Sequence, residues 1–199
     1  MKRLIVGITG ASGVAYGVRM LEALREAHVE SHLVVSKPAE VTLAHETEHK
    51  LAEVRGLADA VYGHGDVGAA IASGSFKTMG MIVAPCSIKT LSEIASGVTD
   101  NLVSRAADVV LKERRRLVLM VRETPLHVGH LRAMLTAAEL GAIIAPPMPA
   151  FYAAPSSLAD IVDHTVGRAL DLFDIESELV RRWREPGAAK PGRAKRLSG

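Results

Sequence analysis

The chain has 199 residues, of which 48% are hydrophobic but only 4% aromatic, and its formal net charge is +2. This length and composition fit one domain with an aliphatic, alanine-rich core, and the single cysteine excludes an internal disulfide and fits a reducing compartment such as the cytoplasm. Residues 185–199 carry a net charge of +3, which leaves −1 for residues 1–184, so the charge argues against a nucleic-acid-binding domain.

Both ends of the chain differ in composition from the rest. Residues 185–199 are rich in proline, glycine and basic side chains, so we expect a disordered tail after a single domain over 1–184. At the start, Lys2 and Arg3 precede an apolar run as in a signal peptide, but glycines interrupt that run and no cleavage site follows. No segment reaches the length of a membrane span, so the sequence predicts a cytoplasmic protein.

Strand-like and helix-like segments alternate along the chain. Short apolar runs predict strands over 4–8, 29–35, 79–84, 117–121 and 142–144, with a further short strand near Val61. Helical patterns cover 14–27, 38–49, 87–96, 102–115, 128–139 and, as a long helix, 158 to about 183. This alternation predicts βαβ units, and therefore an α/β domain built on a doubly wound parallel sheet.

Two of the predicted strand-to-helix turns carry small and hydroxyl-bearing residues. The first is TGASG over 9–13, whose glycines follow the spacing GxxGxxG and not the dinucleotide fingerprint GxGxxG, so an anion site and a plain tight turn fit it equally well. The second is Ser87-Ile88-Lys89-Thr90, where simple N-capping by Ser87 is the alternative. We favour a phosphate-bearing ligand there, because a lysine in the first helical turn opposes the helix dipole.

Charged residues near the later strands suggest further site candidates. Arg122 and Glu123 end a predicted buried strand, where the carboxyl could have a raised pKa and act as an acid, or form a structural ion pair. The run over 112–116 is typical of a solvated helix end. Arg168 lies in an apolar helical pattern and needs an anionic partner, either an aspartate or a ligand phosphate.

A literal HExxH pattern occurs over residues 45–49. In zinc hydrolases this pattern places two histidine ligands and a general base on one helix. Three fixed positions in five are weak evidence, and no third ligand stands out in the sequence. We therefore predict no metal site, and keep a zinc hydrolase only as a remote alternative.

Together these segments resemble the UbiX family of flavin prenyltransferases. The resemblance extends from about Lys2 to Trp183 and is carried by the strings TGASG, APCSIKTL, DNLVSRAADVVLKERRRLVL, RETPL, PPMPAFY and DIVDHTVGRALDLF. It implies a Rossmann-like or flavodoxin-like three-layer α/β/α domain that binds FMN, and a homo-oligomer, since such proteins commonly form dodecamers with active sites at subunit contacts. The related homo-oligomeric flavin-containing cysteine decarboxylases are less similar, because their PASANT and PxxMNxxM strings are missing here.

The resemblance also implies roles for individual residues. The implied FMN contacts are Gly10, Ala11, Ser12, Ser36, Ser87, Ile88, Lys89, Thr90 and Arg122. The implied contacts of dimethylallyl monophosphate are Tyr152, Arg168 and Lys112. The implied catalytic set is Ser12, Glu46, Lys112, Glu123 and Trp183, with Trp183 closing over the prenyl group.

The reaction implied by the resemblance joins a dimethylallyl group to N5 and C6 of reduced FMN without a metal. Its product, prenylated FMN, serves a UbiD-type decarboxylase in ubiquinone biosynthesis or aromatic acid decarboxylation. Lys112 and Arg168 would neutralise the departing phosphate, Glu123 would protonate it, and the flavin and Trp183 would stabilise an allylic cation. The sequence leaves open whether Glu46 or the released phosphate takes the proton, and whether a monophosphate or pyrophosphate is used. The alternatives are an FMN-dependent decarboxylase and a non-catalytic FMN carrier subunit.

Overall fold

The computed structural model describes residues 2–183. Within them, one parallel sheet has the strand order β3-β2-β1-β4-β5-β6. Its strands are β1 (Arg3–Ile8), β2 (Glu30–Val35), β3 (Ala60–Tyr62), β4 (Gly80–Cys86), β5 (Arg116–Val121) and β6 (Ile143–Ile144). This doubly wound order confirms the predicted fold class, and it places the switch in chain direction between β1 and β4.

Helices cover both faces of the sheet. In the described part of the chain they are α1 (Val14–Glu26), α2 (Lys37–Glu46), α3 (Leu51–Leu57), α4 (Ile88–Ser96), α5 (Leu102–Lys112), α6 (Val128–Glu139) and α7 (Leu158–Asp171). Short 3₁₀ turns occur at Ala70–Ala72 and Phe151–Ala153. None of the helices between residues 2 and 183 has both the length and the apolar character that crossing a membrane requires.

The buried sheet separates two apolar clusters, one on each face. Leu4 and Val6 of β1 pack with α1 and α7, whereas Ile5 between them packs with α4 and α5. The same alternation holds in β4, where Ile82 and Met81 face opposite clusters. Because successive side chains of a strand point to opposite faces, a strand covered on both sides must be apolar at every position.

Three helices end earlier than the sequence pattern predicts, and the one predicted over 102–115 ends at Lys112. The prediction of one helix over 38–49 is wrong, since α2 ends at Glu46 and Thr47 is extended (φ −138°, ψ 160°). The prediction of a long helix to Trp183 is also wrong, since α7 ends at Asp171. After α7 the chain buries Phe173 in the core and reverses direction, with Asp174 in the left-handed region at φ 55°.

The return of the chain after α7 depends on a glycine. A Cβ on Gly167 would lie 2.5 Å from the Val180 side chain and 2.9 Å from that of Leu179, so only glycine allows this close approach. The apolar periodicity therefore continues past residue 171 because these residues pack onto α7, and not because the helix continues. The tail predicted over 185–199 lies outside the described residues.

Candidate active site

The loops that follow β1 and β4 meet at the switch point of the sheet. Thr9, which is 1% exposed, donates its hydroxyl to the Pro85 carbonyl (2.7 Å) and accepts from the backbone N–H of Ser87 (2.8 Å). This pair of bonds ties the two predicted ligand loops together across the crevice. In an open α/β sheet such a crevice at the carboxyl ends of the strands is the usual ligand site. Thr9 belongs to TGASG, but sequence reasoning assigned it no role of its own.

The anion at the start of α1 is a side chain of the protein. Glu46, from the last turn of α2, accepts through Oε2 from the backbone N–H groups of Gly13 (2.8 Å) and Val14 (3.1 Å), and its carboxylate also bonds to the Ser12 side chain. The sequence pattern left an anion site and a plain tight turn equally open at this helix start, and in the structure the Glu46 carboxylate occupies the anion position. Gly10 allows the arrangement, because a Cβ there would lie 2.4 Å from Cβ of Pro38 at the start of α2.

Opposing effects act on the Glu46 carboxyl. Partial burial raises its pKa, but the Ser12 hydroxyl, the two backbone N–H groups and the positive charge of Arg122 outweigh that effect and lower the pKa below its usual value. Arg122 follows β5, and its positive charge also acts to lower the pKa of Tyr16. Burial of Tyr16 has the larger effect, so the pKa of its phenol is raised. Glu46 is therefore ionised at neutral pH, with a cation from the end of a different strand nearby.

Serine hydroxyls begin the helices that follow β2 and β4. Ser36 accepts from the Ala39 N–H (3.3 Å), and Ser87 accepts from the Thr90 N–H (3.3 Å) while donating to the Thr90 hydroxyl (3.2 Å). N-capping, the alternative considered for Ser87, therefore occurs. It leaves room for a ligand role, because a hydroxyl oxygen has two lone pairs.

Lys89 has a partner within its own helix. Its ammonium bonds to Glu93 one turn later, and Glu93 also accepts from the Asn101 side chain (3.1 Å). The sequence argument that Lys89 needed a ligand to offset the helix dipole is therefore incomplete, since an i,i+4 carboxylate offsets it too. The predicted contacts of Ile88 and Lys89 with FMN stay predictions.

A second concavity lies beyond the ends of β5 and β6. This cleft of about 320 Å³ is lined by side chains that include Met120, Met148, Tyr152, His164, Arg168 and Leu172. Tyr152 comes from a 3₁₀ turn, whereas Arg168 projects from α7. The structure thus brings two of the three predicted substrate contacts, Tyr152 and Arg168, to one cleft, with methionine and leucine side chains beside them.

The anionic partner of Arg168 is Asp171, at 2.6 Å on the same helix. Arg182 also binds Asp171, through two bonds of 3.0 Å, and this interaction is the main reason that the pKa of the Asp171 carboxyl is lowered. Of the two alternatives for Arg168, the aspartate is therefore observed. Arg168 still lines the cleft, with about half of its side chain exposed, so a phosphate can also reach it.

Aromatic contacts hold Tyr152 in place. Its hydroxyl lies 3.2 Å from Nε2 of His164, and its ring meets the Trp183 ring edge to face at a centroid distance of 5.3 Å. Trp183 therefore lies beside the cleft, where the sequence analysis expected an aromatic residue. His164 was missed, because one histidine inside the string DIVDHTVGRALDLF gives no local signal of a role.

Two predicted catalytic residues have surroundings in the single chain that differ from those expected. Glu123 is exposed and accepts from the N–H of Thr124 (2.9 Å), so the burial assumed for it is wrong. Lys112 ends α5 just before β5, and the six residues of β5 place it about 20 Å from the carboxyl edge. There Lys112 binds Glu113 beside Gly74. The expectation that Lys112 lies near Arg168 is therefore wrong within one chain.

The fold does not place the two histidines of the HExxH pattern on one helix. His45 lies in the last turn of α2, whereas His49 lies in the loop before α3, so the two rings do not share a helical face. Glu46 is turned toward α1. Between residues 2 and 183, no cluster of three histidine, cysteine or acidic side chains is suited to hold a metal ion.

Comparison with known proteins gives consistent results across the chain. The Flavoprotein family model matches residues 1–181. Flavin prenyltransferase UbiX of Escherichia coli (strain K12) is 59% identical over 186 residues, covering 92% of this chain and 98% of that protein. The UbiX protein of Thauera aromatica is 55% identical over 181 residues, covering 91% and 93%.

Solved structures agree with the sequence relatives. The crystal structure of AnUbiX (PadA1) in complex with FMN and dimethylallyl pyrophosphate has a TM-score of 0.91 and 52% identity, covering 92% of this chain and 98% of that one. A dodecameric FMN-dependent UbiX-like decarboxylase from Escherichia coli O157:H7 has a TM-score of 0.90 and 52% identity, covering 92% and 100%. The FMN-dependent cysteine decarboxylase TvaF, at 17% identity, shares the fold alone.

Proposed function

The chain belongs to the Flavoprotein family and, within it, to the UbiX flavin prenyltransferases, and we propose that it transfers a dimethylallyl group from dimethylallyl monophosphate to N5 and C6 of reduced FMN. The observation that carries the proposal is the 59% identity to a flavin prenyltransferase along nearly the whole chain. When bound, reduced FMN supplies the nucleophilic nitrogen and carbon, and the protein binds, orients and neutralises the reacting groups.

The proposed FMN contacts fit the crevice. They follow β2, β1, β4 and β5, which are contiguous strands in the sheet. Gly10 keeps the first loop close to α2, and Thr9 ties it to the loop after β4. Hydroxyls of Ser36 and Ser87 and the start of α4 can bind a phosphate and the ribityl oxygens. The four loops therefore offer a single continuous surface to the flavin.

The protein offers a weak base in Glu46. Its lowered pKa means that it accepts a proton reluctantly, whereas the inorganic phosphate that departs from the substrate is a dianion and a stronger base than an ionised carboxylate. We therefore assign the proton lost from N5 or C6 to the released phosphate. Glu46 then acts by holding Ser12 and the first loop against the flavin, and by keeping a negative charge near the developing cation.

The cleft beside the crevice suits a prenyl phosphate. Tyr152 and Arg168 offer a hydroxyl donor and a guanidinium to the phosphate, and Met120, Met148 and Leu172 offer an apolar wall to the dimethylallyl group. Trp183 lies against Tyr152 and can stabilise the allylic cation through its ring face. Glu123 remains the proposed acid, and in the single chain it is open to solvent.

The proposed role of Lys112 requires a second copy of the chain. Lys112 is about 20 Å from the carboxyl edge of its own sheet, and a lysine from a neighbouring chain could reach the phosphate instead. Apolar side chains stand out on the same molecule, among them Leu135 at 59% and Phe151 at 81% exposed, and assembly would cover them. We propose a homo-oligomer, as a dodecamer, with active sites between chains.

Mixed oligomers test this arrangement. Lys112→Ala and Arg168→Ala chains should each lose most activity alone. Co-assembled, they should recover about a quarter of wild-type turnover per site, because some sites then combine an intact Lys112 with an intact Arg168. A mixture that stays as inactive as its components would place both residues in one chain's site, contrary to the proposal.

The product is proposed to pass to a UbiD-type decarboxylase, and a reducing cytoplasm suits both the buried Cys86 and reduced FMN. The second candidate function is direct FMN-dependent decarboxylation, favoured by similarity to the Escherichia coli O157:H7 structure, which is described as an FMN-dependent UbiX-like decarboxylase. The third is a carrier that binds FMN without altering it. These candidates differ in what happens to the flavin.

The deciding experiment is anaerobic incubation of the protein with reduced FMN and dimethylallyl monophosphate, followed by mass analysis of the flavin. Gain of one isoprene unit is expected, with slower or no gain from dimethylallyl pyrophosphate. Unchanged FMN that stays bound would favour a carrier. Release of carbon dioxide from an aromatic or cysteinyl acid without a second protein would favour a decarboxylase.

A further inference from the structure

A buried histidine forms part of the wall of the proposed prenyl phosphate cleft. His164, on α7, is 8% exposed, and its Nε2 lies 3.2 Å from the Tyr152 hydroxyl. The two rings meet edge to face at a centroid distance of 5.6 Å. Arg168 is four residues further along α7, so His164 and Arg168 share one face of that helix and flank the same cleft.

Tyr152 depends on few contacts for its position. It belongs to a single 3₁₀ turn, Phe151–Ala153, none of whose residues is buried. The turn is held by the bond to His164, the edge contact with Trp183 and a bond from Arg181 to the Ala153 carbonyl (3.1 Å). Of these, the bond to His164 is the one that acts on the phenol oxygen itself.

The hydrogen-bonding capacity of the phenol then decides what His164 does. A tyrosine hydroxyl has one hydrogen to donate and two lone pairs that accept. If Nε2 of His164 carries a hydrogen, the phenol oxygen accepts from it and keeps its own hydrogen for another acceptor. If Nε2 were unprotonated, the phenol would donate to it and would have no hydrogen left for a phosphate.

We infer that His164 is a positioning residue for substrate binding: its Nε2–H donates to the Tyr152 oxygen, so that the phenol hydrogen points at the substrate phosphate beside Arg168. This inference rests on the proposed function of the cleft. It adds His164 as a residue that acts on the substrate through Tyr152. It also assigns His164 as the donor and Tyr152 as the acceptor of the hydrogen bond between these two side chains.

Two amide substitutions separate this role from a structural one. In His164→Gln the side-chain amide nitrogen can reach the position of Nε2, whereas in His164→Asn it is too short to reach Tyr152. Both variants place a polar amide in the same surroundings. The affinity for dimethylallyl monophosphate is measured by calorimetry on the assembled protein loaded with oxidised FMN, which binds without turnover.

We expect His164→Asn to weaken monophosphate binding about tenfold, as for the loss of one hydrogen bond to a charged group, and His164→Gln to remain within about threefold of wild type. Tyr152→Phe should match His164→Asn, and the double variant should bind no more weakly than either, because both changes remove one interaction. FMN affinity should stay unchanged throughout.

The matched control is the other bonded tyrosine–histidine pair, where Tyr62→Phe should leave monophosphate binding at the wild-type level. Equal binding by the Asn and Gln variants, or additive losses in the double variant, would overturn the inference for His164. The wild-type protein separates this outcome from failure of the proposed function. If the wild-type protein prenylates FMN but the losses in the double variant are additive, only the role of His164 is refuted. If the wild-type protein neither binds the monophosphate nor alters FMN, the proposed function is refuted as well.

Discussion

Two histidine–tyrosine pairs in this protein have the same chemistry and different surroundings. His32, on β2, is 3% exposed and bonds through Nδ1 to the Tyr62 hydroxyl (2.9 Å) and through Nε2 to Glu30 (2.9 Å). Glu30 in turn accepts from Arg3 (2.9 Å). We call these four residues the closed network, because each polar group bonds to another member of the set.

The pair of Tyr152 and His164, which we call the cleft pair, has an open end. Tyr152 is 39% exposed and borders a cleft that also contains Arg168. A network whose members satisfy one another around a buried histidine stabilises the fold, whereas a pair that keeps one donor facing a cavity can bind a ligand. The two pairs contain the same residue types. They differ because the cleft pair has a hydrogen-bond donor that faces a cavity, whereas the groups of the closed network bond to one another.

The strongest test of this difference is removal of the cation beside the cleft pair. Arg168→Ala should lower the rate of FMN prenylation by about 10²- to 10³-fold, because a charge that neutralises the departing phosphate is lost. Arg182→Ala is the matched control, since Arg182 also binds Asp171 but does not line the cleft. Equal losses in both variants would mean that Asp171, and not the phosphate, is the essential partner of Arg168.

A smaller effect is expected at the first loop. Glu46→Gln should slow prenylation about tenfold or more and lower stability by about 1 kcal/mol, because a neutral amide is a poorer cap for the N–H groups of Gly13 and Val14. Urea unfolding and flavin mass analysis measure the two effects. Glu40→Gln, on the same helix, should change neither by a comparable amount, and a similar loss there would point to α2 as a whole.

The smallest effect is expected in the closed network, and only in stability. Hydrogen bonding by Arg3 is the main reason that the pKa of Glu30 is lowered, so its stabilising contribution is present above the unfolded pKa of about 4.5 and is lost as the pH falls through the lower folded value. Glu30→Gln should thus be less stable than wild type by about 1 kcal/mol at pH 7.

Urea unfolding at pH 7 and pH 3.5 checks this linkage. The difference in free energy of unfolding between Glu30→Gln and wild type should be smaller at the lower pH. The rate of prenylation at pH 7 should be unaffected by the substitution. A gap that widens in acid, or a loss of turnover at pH 7, would show that the closed network is coupled to the active site and would remove the contrast between the two pairs.

Much of the fold was accessible from the sequence. The six strands were predicted to within two residues, and the structure confirms α6 at Val128–Glu139 as predicted. The meeting of the loops after β1 and β4 could also be predicted, because loops after parallel strands collect at one edge of the sheet, whereas their contacts with a ligand stay predictions. These features depend on apolar periodicity and on small and hydroxyl residues at turns, which are local properties of the chain.

Tertiary structure decided the features that join distant residues. Glu46 caps a helix that begins 32 residues before it in the chain, and His164 meets a tyrosine 12 residues away across a turn. The end of α7 depends on where Phe173 is buried, and the distance of Lys112 from the cleft depends on the direction of β5. Periodicity records which face of a segment is apolar, but the partner of a polar side chain and the end of a helix are set by whatever packs against them, and only the folded chain brings those groups together.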